Sequence, residues 1–413
     1  MSGLLRLEAK RNMANIGRKT GVSEQNMQHF MSHSPWSGRA LIARMQAAVA
    51  QRGALAGGVL ILDESGEDKA GEASAGVARQ YNGRHKQVKN CQVGVYLAYA
   101  AGGIWTWVDG ELYLPEKWFS PAHAARRRKA EVPAQRVFQK KSELGWQMLV
   151  RAQAAGIPFV AVTFDSLYGH ETWLRDQCRA AHLEYYADVK GDTLVYQRDP
   201  STAASLNQRQ QWARRVEDLA DDETTLWQTV TLRPDDRGML QADFATHSVW
   251  TMRKDGRVVA ETLLLRRDGQ HLTYTLTNAP AYTPLELLAQ RKSQRYFVER
   301  SIQDAKSELG FDEFQAVKYR AWEHHLALTI LASWFIAETR LDWEVEHPRD
   351  PALMAEYEVD ILPALSVANV RELLRAALPL PQLTSQQAAL LVVKHLDNRT
   401  RSRKSRLSKH SGP

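Results

Sequence analysis

Two aspartates occupy positions that suit chemistry on a phosphate group. The apolar run 57–66 predicts a buried strand with Asp63 at its carboxyl end, and the run 156–169 predicts a second strand that ends at Asp165. In open α/β sheets, functional groups collect at the carboxyl ends of the strands. A buried carboxylate must be paired or bound to a metal ion. Either aspartate alone could be a helix cap or a turn former, but the two together favour a shared site.

A third acidic residue lies between two cations on one predicted helix. Arg295, Glu299 and Lys306 fall at offsets of 0, 4 and 11 residues, which places them on one helical face. On an isolated helix this stripe would be a surface ion-pair ladder. Beside two buried aspartates it could instead belong to a site that handles phosphodiesters.

The sequence marks both ends of this helix, which we predict as one element over 283–310. Thr283 and Glu286 have the spacing of a capping box, and Pro284 suits the first helical position because its missing N–H has no partner there. Gly310 can adopt the left-handed conformation that ends a helix.

The elements around these residues predict an α/β fold. Before residue 192 their order is strand, β-hairpin, helix, strand, helix, strand, which indicates a mixed sheet with helices packed against it. The strands are predicted at 57–66, 90–100, 104–114, 156–169 and 183–189, and the helices at 141–155 and 170–182. We expect the basic segment 115–140 to be an exposed loop. Hairpin signals at Gly256 and Gly269 predict a small antiparallel sheet inserted within 192–282.

The N-terminal segment 3–32 has the pattern of a helix-turn-helix. Gly21 marks the turn and Ser23 caps the second helix. That helix would present polar side chains to base edges in the major groove, namely Gln25, Asn26, Gln28 and His29. A plain helical hairpin fits the same pattern equally well.

The charge balance suggests a polyanionic partner without proving one. The chain has 54 Lys and Arg residues against 47 Asp and Glu residues, for a net charge of +7. Basic runs occur at 126–129 and in the tail, which contains Arg401, Arg403 and Lys404. Solvated surface or a disordered tail would explain any one run taken alone.

Composition argues against exported, disulfide-stabilised and membrane classes. Cys91 and Cys178 are the only cysteines, and no CxxC pair is present. No apolar run reaches the roughly 18 residues that a membrane span needs, and the charged N-terminus lacks an apolar signal segment. We therefore expect a cytoplasmic protein with no membrane partner.

Divalent-metal chemistry is the reaction class that the three carboxylates fit. Mg²⁺ prefers octahedral oxygen ligands, and two ions about 3.5–4 Å apart can clamp the attacking and leaving oxygens of a phosphodiester. Asp63, Asp165 and Glu299 would supply such ligands from separate elements of one scaffold, while Arg295 and Lys306 would lie where phosphates pass.

Several segments resemble the DDE transposases of bacterial insertion sequences, in the group called DDE superfamily endonucleases. The matching segments are LILDESGEDKAG, SAGVARQYNG, KNCQVGVYLAYA, VTFDSLYG, RYFVERSIQDAKSELGFDEF and NRTRSRKSRL. The resemblance implies an RNase H-like α/β catalytic core that a mainly β insertion interrupts before the last acidic residue. It also implies Asp63, Asp165 and Glu299 as catalytic ligands of two Mg²⁺ (or Mn²⁺) ions, with Tyr168 completing an Asp-x-x-Tyr motif.

One departure from the family pattern concerns the glutamate helix. Related transposases carry a Tyr-x2-Arg-x3-Glu-x6-Lys signature, and this chain keeps Arg295, Glu299 and Lys306 but has Lys292 at the tyrosine position. Tyr296 lies nearby and could substitute only in part. We predict that four of these side chains contact DNA: Arg295, Lys306, Lys292 and Tyr296. The lysine at the tyrosine position puts the fine positioning of the DNA end in doubt.

The resemblance divides the chain into five regions. They are an N-terminal helical region at 1–54, the first part of the catalytic core at 55–191, the insertion at 192–282, the second part of the core at 283–341, and a C-terminal helical region with a basic tail at 342–413. The implied partners are double-stranded DNA, as terminal inverted repeats and target DNA, and a second copy of the chain in a synaptic dimer. The implied location is the bacterial cytoplasm, with nucleoid association when DNA is bound.

These features predict a transposase that cleaves the ends of its element and joins the 3′ hydroxyls to target DNA. One alternative is a non-catalytic DNA-binding regulator derived from a transposase, although an intact acidic triad argues against it. Another is a phosphatase that forms an aspartyl phosphate at Asp63. That chemistry requires a second aspartate two residues later, where this chain has Ser65.

Overall fold

The computed structural model describes residues 1–8, 10–83, 85–235, 238–348, 350–358, 364–378 and 384–410. The N-terminal region forms helices α1 (Ser2–Arg6), α2 (Met13–Thr20), α3 (Glu24–Ser32) and α4 (Gly38–Gln51). Gly21 joins α2 to α3 with a left-handed φ of 75°, and the Ser23 hydroxyl accepts a hydrogen bond from the Asn26 N–H at 3.1 Å. The predicted turn and cap are therefore confirmed, but the helix predicted before the turn is two helices.

The predicted central strands and helices occur in the predicted order, together with one strand and two short helices that were not predicted. The strands are β1 (Gly58–Asp68), β2 (Ala78–Asn82), β3 (Gln87–Ala101), β4 (Ile104–Leu112), β5 (Phe159–Phe164) and β6 (Tyr185–Val189). The helices are α5 (Ala124–Lys129), α6 (Lys141–Ala154), α7 (Ser166–Gly169) and α8 (Thr172–Ala180). The segment 115–140 is not simply an exposed loop, because Trp118 within it is fully buried and donates a hydrogen bond to the Val77 carbonyl at 3.0 Å.

Strand β1, which carries Asp63, lies between β3 and β5 in the sheet. It pairs in parallel with β5 from Gly58 to Leu62 and antiparallel with β3 from Val59 to Asp68. Because the pairing with β3 continues beyond Leu62, Asp63 lies in the middle of β1 and not at its carboxyl end. The prediction that Asp63 ends its strand is therefore wrong. Asp63 does directly follow the part of β1 that pairs in parallel with β5.

The region predicted as an insertion, 192–282, contains β7 (Leu194–Tyr196), α9 (Leu206–Trp212), β8 (Ala213–Arg215), α10 (Val216–Ala220), β9 (Gln228–Asp235), β10 (Gly238–Met252), β11 (Val258–Asp268) and β12 (His271–Thr277). Both predicted hairpin turns are present, with φ of 85° at Gly256 and 57° at Gly269. The inserted strands do not form a separate sheet, because β12 pairs with β6 and continues the core sheet. The strand order is β2-β3-β1-β5-β6-β12-β11-β10-β7-β8, with β4 beside β3 and β9 beside β10.

Helices follow the last inserted strand. They are α11 (Leu285–Ser293), α12 (Tyr296–Ser307), α13 (Tyr319–Glu346), α14 (Pro351–Glu356), α15 (Val367–Ala377) and α16 (Ser385–His410). The buried face of α13 packs on β4 and α4, and α12 lies against β1, β3 and β4. Among the helices in the described ranges, none is long and apolar enough to cross a membrane.

Candidate active site

Three aspartates form a row across three neighbouring parallel strands. The sheet pairs Leu62 of β1 with Phe164 of β5, and Phe164 with Ala187 of β6. The residue that directly follows each of these is an aspartate: Asp63, Asp165 and Asp188, respectively. Side chains at equivalent positions of adjacent strands lie on the same face of a sheet. The sequence prediction identified Asp63 and Asp165 but missed Asp188, which lies within the short strand β6 and not after it.

Asp165 combines a structural role with its place in the row. Its carboxylate caps α7, accepting hydrogen bonds from the N–H groups of Leu167 at 3.0 Å and Tyr168 at 3.3 Å. Burial raises the pKa of the Asp165 carboxyl, and the nearby Arg295 guanidinium partly opposes that rise. Asp165 therefore both caps α7 and belongs to the acidic row.

Asp63 carries the more strongly perturbed carboxyl group. Burial and the neighbouring charge of Asp165 raise the pKa of Asp63 to about 7, although Arg295 acts in the opposite direction. Two carboxylates this close repel each other when both are ionised. The pair therefore holds negative charge that a bound cation would stabilise.

The helix that carries Glu299 is broken in front of it. We predicted one helix over 283–310, but α11 ends at Ser293 and α12 begins at Tyr296. Across the break the N–H groups of Arg295 and Val298 bond to carbonyls three residues earlier, at 3.2 Å each, which tightens the turn. The predicted Thr283 capping box is also wrong, because Pro284 is the N-cap and no side chain caps the helix. Gly310 does adopt the expected left-handed conformation, with φ of 69°.

The break places Arg295 among three carboxylates. Its Nε lies 3.0 Å from Asp188 Oδ2, one terminal nitrogen lies 3.6 Å from Asp63 Oδ2, and the other lies 3.4 Å from Glu299 Oε1. The guanidinium thus stands between the aspartate row and Glu299. The Glu299 side chain is 65% exposed, whereas that of Asp63 is only 15% exposed.

Lys306 attaches the other end of α12 to β1. Its ammonium lies 2.6 Å from Glu67 Oε1 and donates a hydrogen bond to the Ser65 hydroxyl at 2.7 Å. Asp63, Ser65 and Glu67 alternate along β1, so all three face α12. The cations at the two ends of α12 therefore attach this helix to β1.

Lys292 and Tyr296 also make contacts within the chain. Lys292 is 6% exposed, and its Nζ lies 2.6 Å from Asp188 Oδ1. The Tyr296 ring is 45% exposed and has the Arg233 guanidinium 4.0 Å from its centroid, so the insertion contacts α12 here. Of the four residues predicted to contact DNA on this helix pair, the structure gives Arg295, Lys306 and Lys292 carboxylate partners; their DNA contacts stay predictions.

Comparisons with known proteins show the family of this chain. The sequence profile of the DDE superfamily endonucleases matches residues 1–253. This chain belongs to the DDE superfamily endonucleases. It is also 23% identical over 317 residues to a protein from Microchaete diplosiphon named as a probable transposase for insertion sequence element IS701. That match covers 75% of this chain and 73% of the relative.

The tyrosine of the Asp-x-x-Tyr motif in this DDE superfamily endonuclease has a clear structural partner. Tyr168 is fully buried, and its hydroxyl donates a hydrogen bond to Glu64 Oε2 at 3.3 Å. The other oxygen of Glu64 accepts from Lys141 Nζ at 2.6 Å. Because Glu64 follows Asp63 and Tyr168 lies three residues after Asp165, this contact fixes the two aspartates relative to each other.

The aspartate pair fits the divalent ions that DDE superfamily nucleases generally use. Mg²⁺ keeps several water ligands and is commonly bound by one or two carboxylates together with substrate phosphates. Asp63 and Asp165 offer such a pair, and their mutual repulsion is only partly offset by Arg295. Within the described ranges, no three His, Cys, Asp or Glu side chains are grouped closely enough to hold an ion by themselves, so Glu299 stands apart from the pair.

The predicted DNA contacts outside the core lie on exposed helical surfaces. Gln25 and Asn26 are exposed on the first turns of α3. Arg401, Arg403 and Lys404 are exposed on α16, so this part of the basic tail is helical. Their roles in DNA binding stay predictions.

Proposed function

We propose that this DDE superfamily endonuclease is a transposase that binds terminal inverted repeats, cleaves the ends of its element and joins the 3′ hydroxyls to target DNA. The observation that carries the proposal is the side-by-side placement of Asp63 and Asp165, which directly follow paired residues of β1 and β5. The likeness to a probable insertion-sequence transposase supports the same reaction. The strand order β4-β3-β1-β5-β6, with β1, β5 and β6 parallel, supports an RNase H-like core.

In the proposed reaction, Asp63, Asp165 and Glu299 would hold two Mg²⁺ or Mn²⁺ ions. Bound divalent ions would supply charge stabilisation for the attacking and leaving oxygens of the phosphodiester. The chain itself positions the ligands: Glu64 and Tyr168 fix the aspartate pair, and Lys306 holds the helix of Glu299 onto β1. Arg295 supplies a positive charge 3.6 Å from Asp63.

The proposed partners follow from the reaction. Double-stranded DNA would be read by Gln25 and Asn26 on α3 and held by the basic residues of α16. Two element ends must be held together for joining, so the working unit would be a dimer of this chain. We propose a cytoplasmic location with nucleoid association on DNA.

The proposal is tested by cleavage of a plasmid that carries the coding sequence with its flanking DNA. With Mg²⁺ or Mn²⁺, the wild-type chain should nick or cut at the element ends, and EDTA should abolish cutting. Asp63→Asn and Glu299→Gln should bind the same DNA without cutting it. Glu286→Gln is the matched control, because Glu286 is an exposed carboxylate on the preceding helix α11. Cutting by Asp63→Asn at the wild-type rate would contradict the proposal.

A further inference from the structure

Asp188 is the acidic residue in the row that the proposed reaction does not use. Its carboxylate binds two cations, with Lys292 Nζ 2.6 Å and Arg295 Nε 3.0 Å away. It also accepts a hydrogen bond at 2.7 Å from the hydroxyl of Thr275, on the inserted strand β12. The Asp188 side chain is only 14% exposed. Its oxygens are therefore committed to partners within the chain.

The contacts of Arg295 are unequal in length. Its shortest ion pair is the 3.0 Å contact with Asp188, whereas its nitrogens lie 3.4 Å from the exposed Glu299 and 3.6 Å from Asp63. A guanidinium is planar and rigid, so binding of its Nε edge to one carboxylate limits where its terminal nitrogens can lie. The Asp188 contact therefore holds Arg295 at a short distance from Asp63 without a direct hydrogen bond.

We propose that Asp188 is a positioning residue, which restrains Arg295 and so leaves the oxygens of Asp63 available to a divalent cation. Without the Asp188 carboxylate, Arg295 would be drawn to the buried negative charge of Asp63 and Asp165, because its other partner, Glu299, is exposed to solvent and attracts it less. A guanidinium bound directly to Asp63 would compete with a cation for the same oxygens. The inference rests on the proposed function in one respect, namely that the aspartate pair binds a divalent ion.

A simpler effect of charge must be separated from this restraint. Asp188 is itself negative, and its removal would weaken cation binding through space whether or not Arg295 moved. The two effects differ in a double-mutant cycle. A through-space effect gives the same loss with or without Arg295, whereas a restraint on Arg295 gives no loss once Arg295 is absent.

The cycle is best made in a Lys292→Met background. Lys292 is buried, and burial lowers the pKa of its ammonium while Asp188 opposes that change. Asp188→Asn alone would leave this buried cation without its carboxylate, and the chain could then fail to fold. Methionine is apolar and similar in length, so Lys292→Met removes the problem from every variant of the cycle.

The measurement is Mn²⁺ binding to the full chain, followed by electron paramagnetic resonance of free Mn²⁺ and without any DNA. In the Lys292→Met background, Asp188→Asn should weaken Mn²⁺ binding by roughly 10- to 100-fold, the range for residues that orient metal ligands. Adding Arg295→Ala should restore the affinity, and Asp188→Asn should have no effect in a chain that already carries Arg295→Ala. Thermal unfolding should show that all four chains are folded.

Two results would overturn the inference. One is unchanged Mn²⁺ affinity in Asp188→Asn, and the other is an equal loss with and without Arg295. Failure of the proposed function gives a different result. In that case Asp63→Asn would not change Mn²⁺ binding in the Lys292→Met background, or neither chain would bind Mn²⁺.

Discussion

Asp63 and Asp165 stand side by side because they directly follow Leu62 and Phe164, the last parallel pair between β1 and β5. At this point β1 leaves β5 and continues along β3, while the chain after β5 turns into α7. Both carboxylates therefore lie where the parallel pairing of β1 and β5 ends.

Asp63→Asn should stabilise the metal-free chain at neutral pH. Because the pKa of Asp63 rises from 3.8 to about 7, keeping the carboxylate ionised in the folded chain costs up to about 4 kcal/mol. Between those pH values the folded chain retains a proton that the unfolded chain has released, so stability falls as pH rises. Denaturant unfolding in EDTA should therefore show a gain for Asp63→Asn that is largest at pH 8 and smaller at pH 5.

The exposed carboxylate Glu286 gives the control for that measurement. Glu286→Gln should change the free energy of unfolding only slightly and by a similar amount at both pH values, since the side chain is exposed in the first turn of α11. A gain for Asp63→Asn that is equal at pH 5 and pH 8 would mean that ionisation of Asp63 is not its source.

Lys306→Met should weaken the attachment of α12 to β1. The side chains of Lys306 and Glu67 are only 13% and 10% exposed, so removing the cation leaves a buried carboxylate without its partner. Breaking such a pair costs about 3 kcal/mol, and Lys306→Met combined with Glu67→Gln should recover most of the loss. Arg300→Met is the control, because Arg300 bonds to Gln303 on the exposed side of the same helix.

This experiment also separates attachment from the DNA contact predicted for Lys306. A phosphate contact contributes about 0.9 to the slope of log affinity against log salt concentration. If Lys306→Met were fully stable but lost one such increment in DNA binding, the phosphate contact would be its main role and the attachment role would be contradicted.

Gln25→Ala and Asn26→Ala should reduce discrimination between the element ends and unrelated DNA. Each well-placed base contact is worth about 1–3 kcal/mol. Both side chains are exposed on α3, so neither substitution should change the melting temperature by more than a degree or two. Gel-shift titration with specific and random duplexes at one salt concentration measures the ratio of the two affinities.

Lys19→Ala is the matched control for α3, because Lys19 is exposed on the neighbouring helix α2. It should weaken binding to both duplexes alike if it contacts phosphate. An unchanged ratio for both Gln25→Ala and Asn26→Ala would favour the plain helical hairpin over a DNA-reading helix-turn-helix.

The sequence predicts local features of this chain well, since short-range patterns determine them. Apolar runs located the strands that lead to Asp63 and Asp165, and Gly256 and Gly269 located two hairpin turns. The pairing of β6 with β12 could not be predicted, because it depends on register between distant segments. The inserted strands therefore looked like a separate sheet.

The break between α11 and α12 was also beyond the sequence. The residues around Arg295 include no glycine or proline, so local preferences favour one continuous helix. The tight turn coincides with the ion pairs of Arg295 to Asp188 and Asp63, which are contacts between distant segments. Asp188 lies inside the short predicted strand 183–189, so its place in the sequence did not mark it as a carboxylate at a strand end.

Asp165→Asn offers the most direct test of the catalytic assignment, because it separates the two roles of this residue. Asparagine caps helices about as well as aspartate, so the hydrogen bonds to Leu167 and Tyr168 should persist while the charge is lost. We predict that Asp165→Asn folds and binds the element ends like the wild-type chain but yields no cleaved strand in single-turnover assays with Mg²⁺. Cleavage at the wild-type rate by this variant would contradict the account.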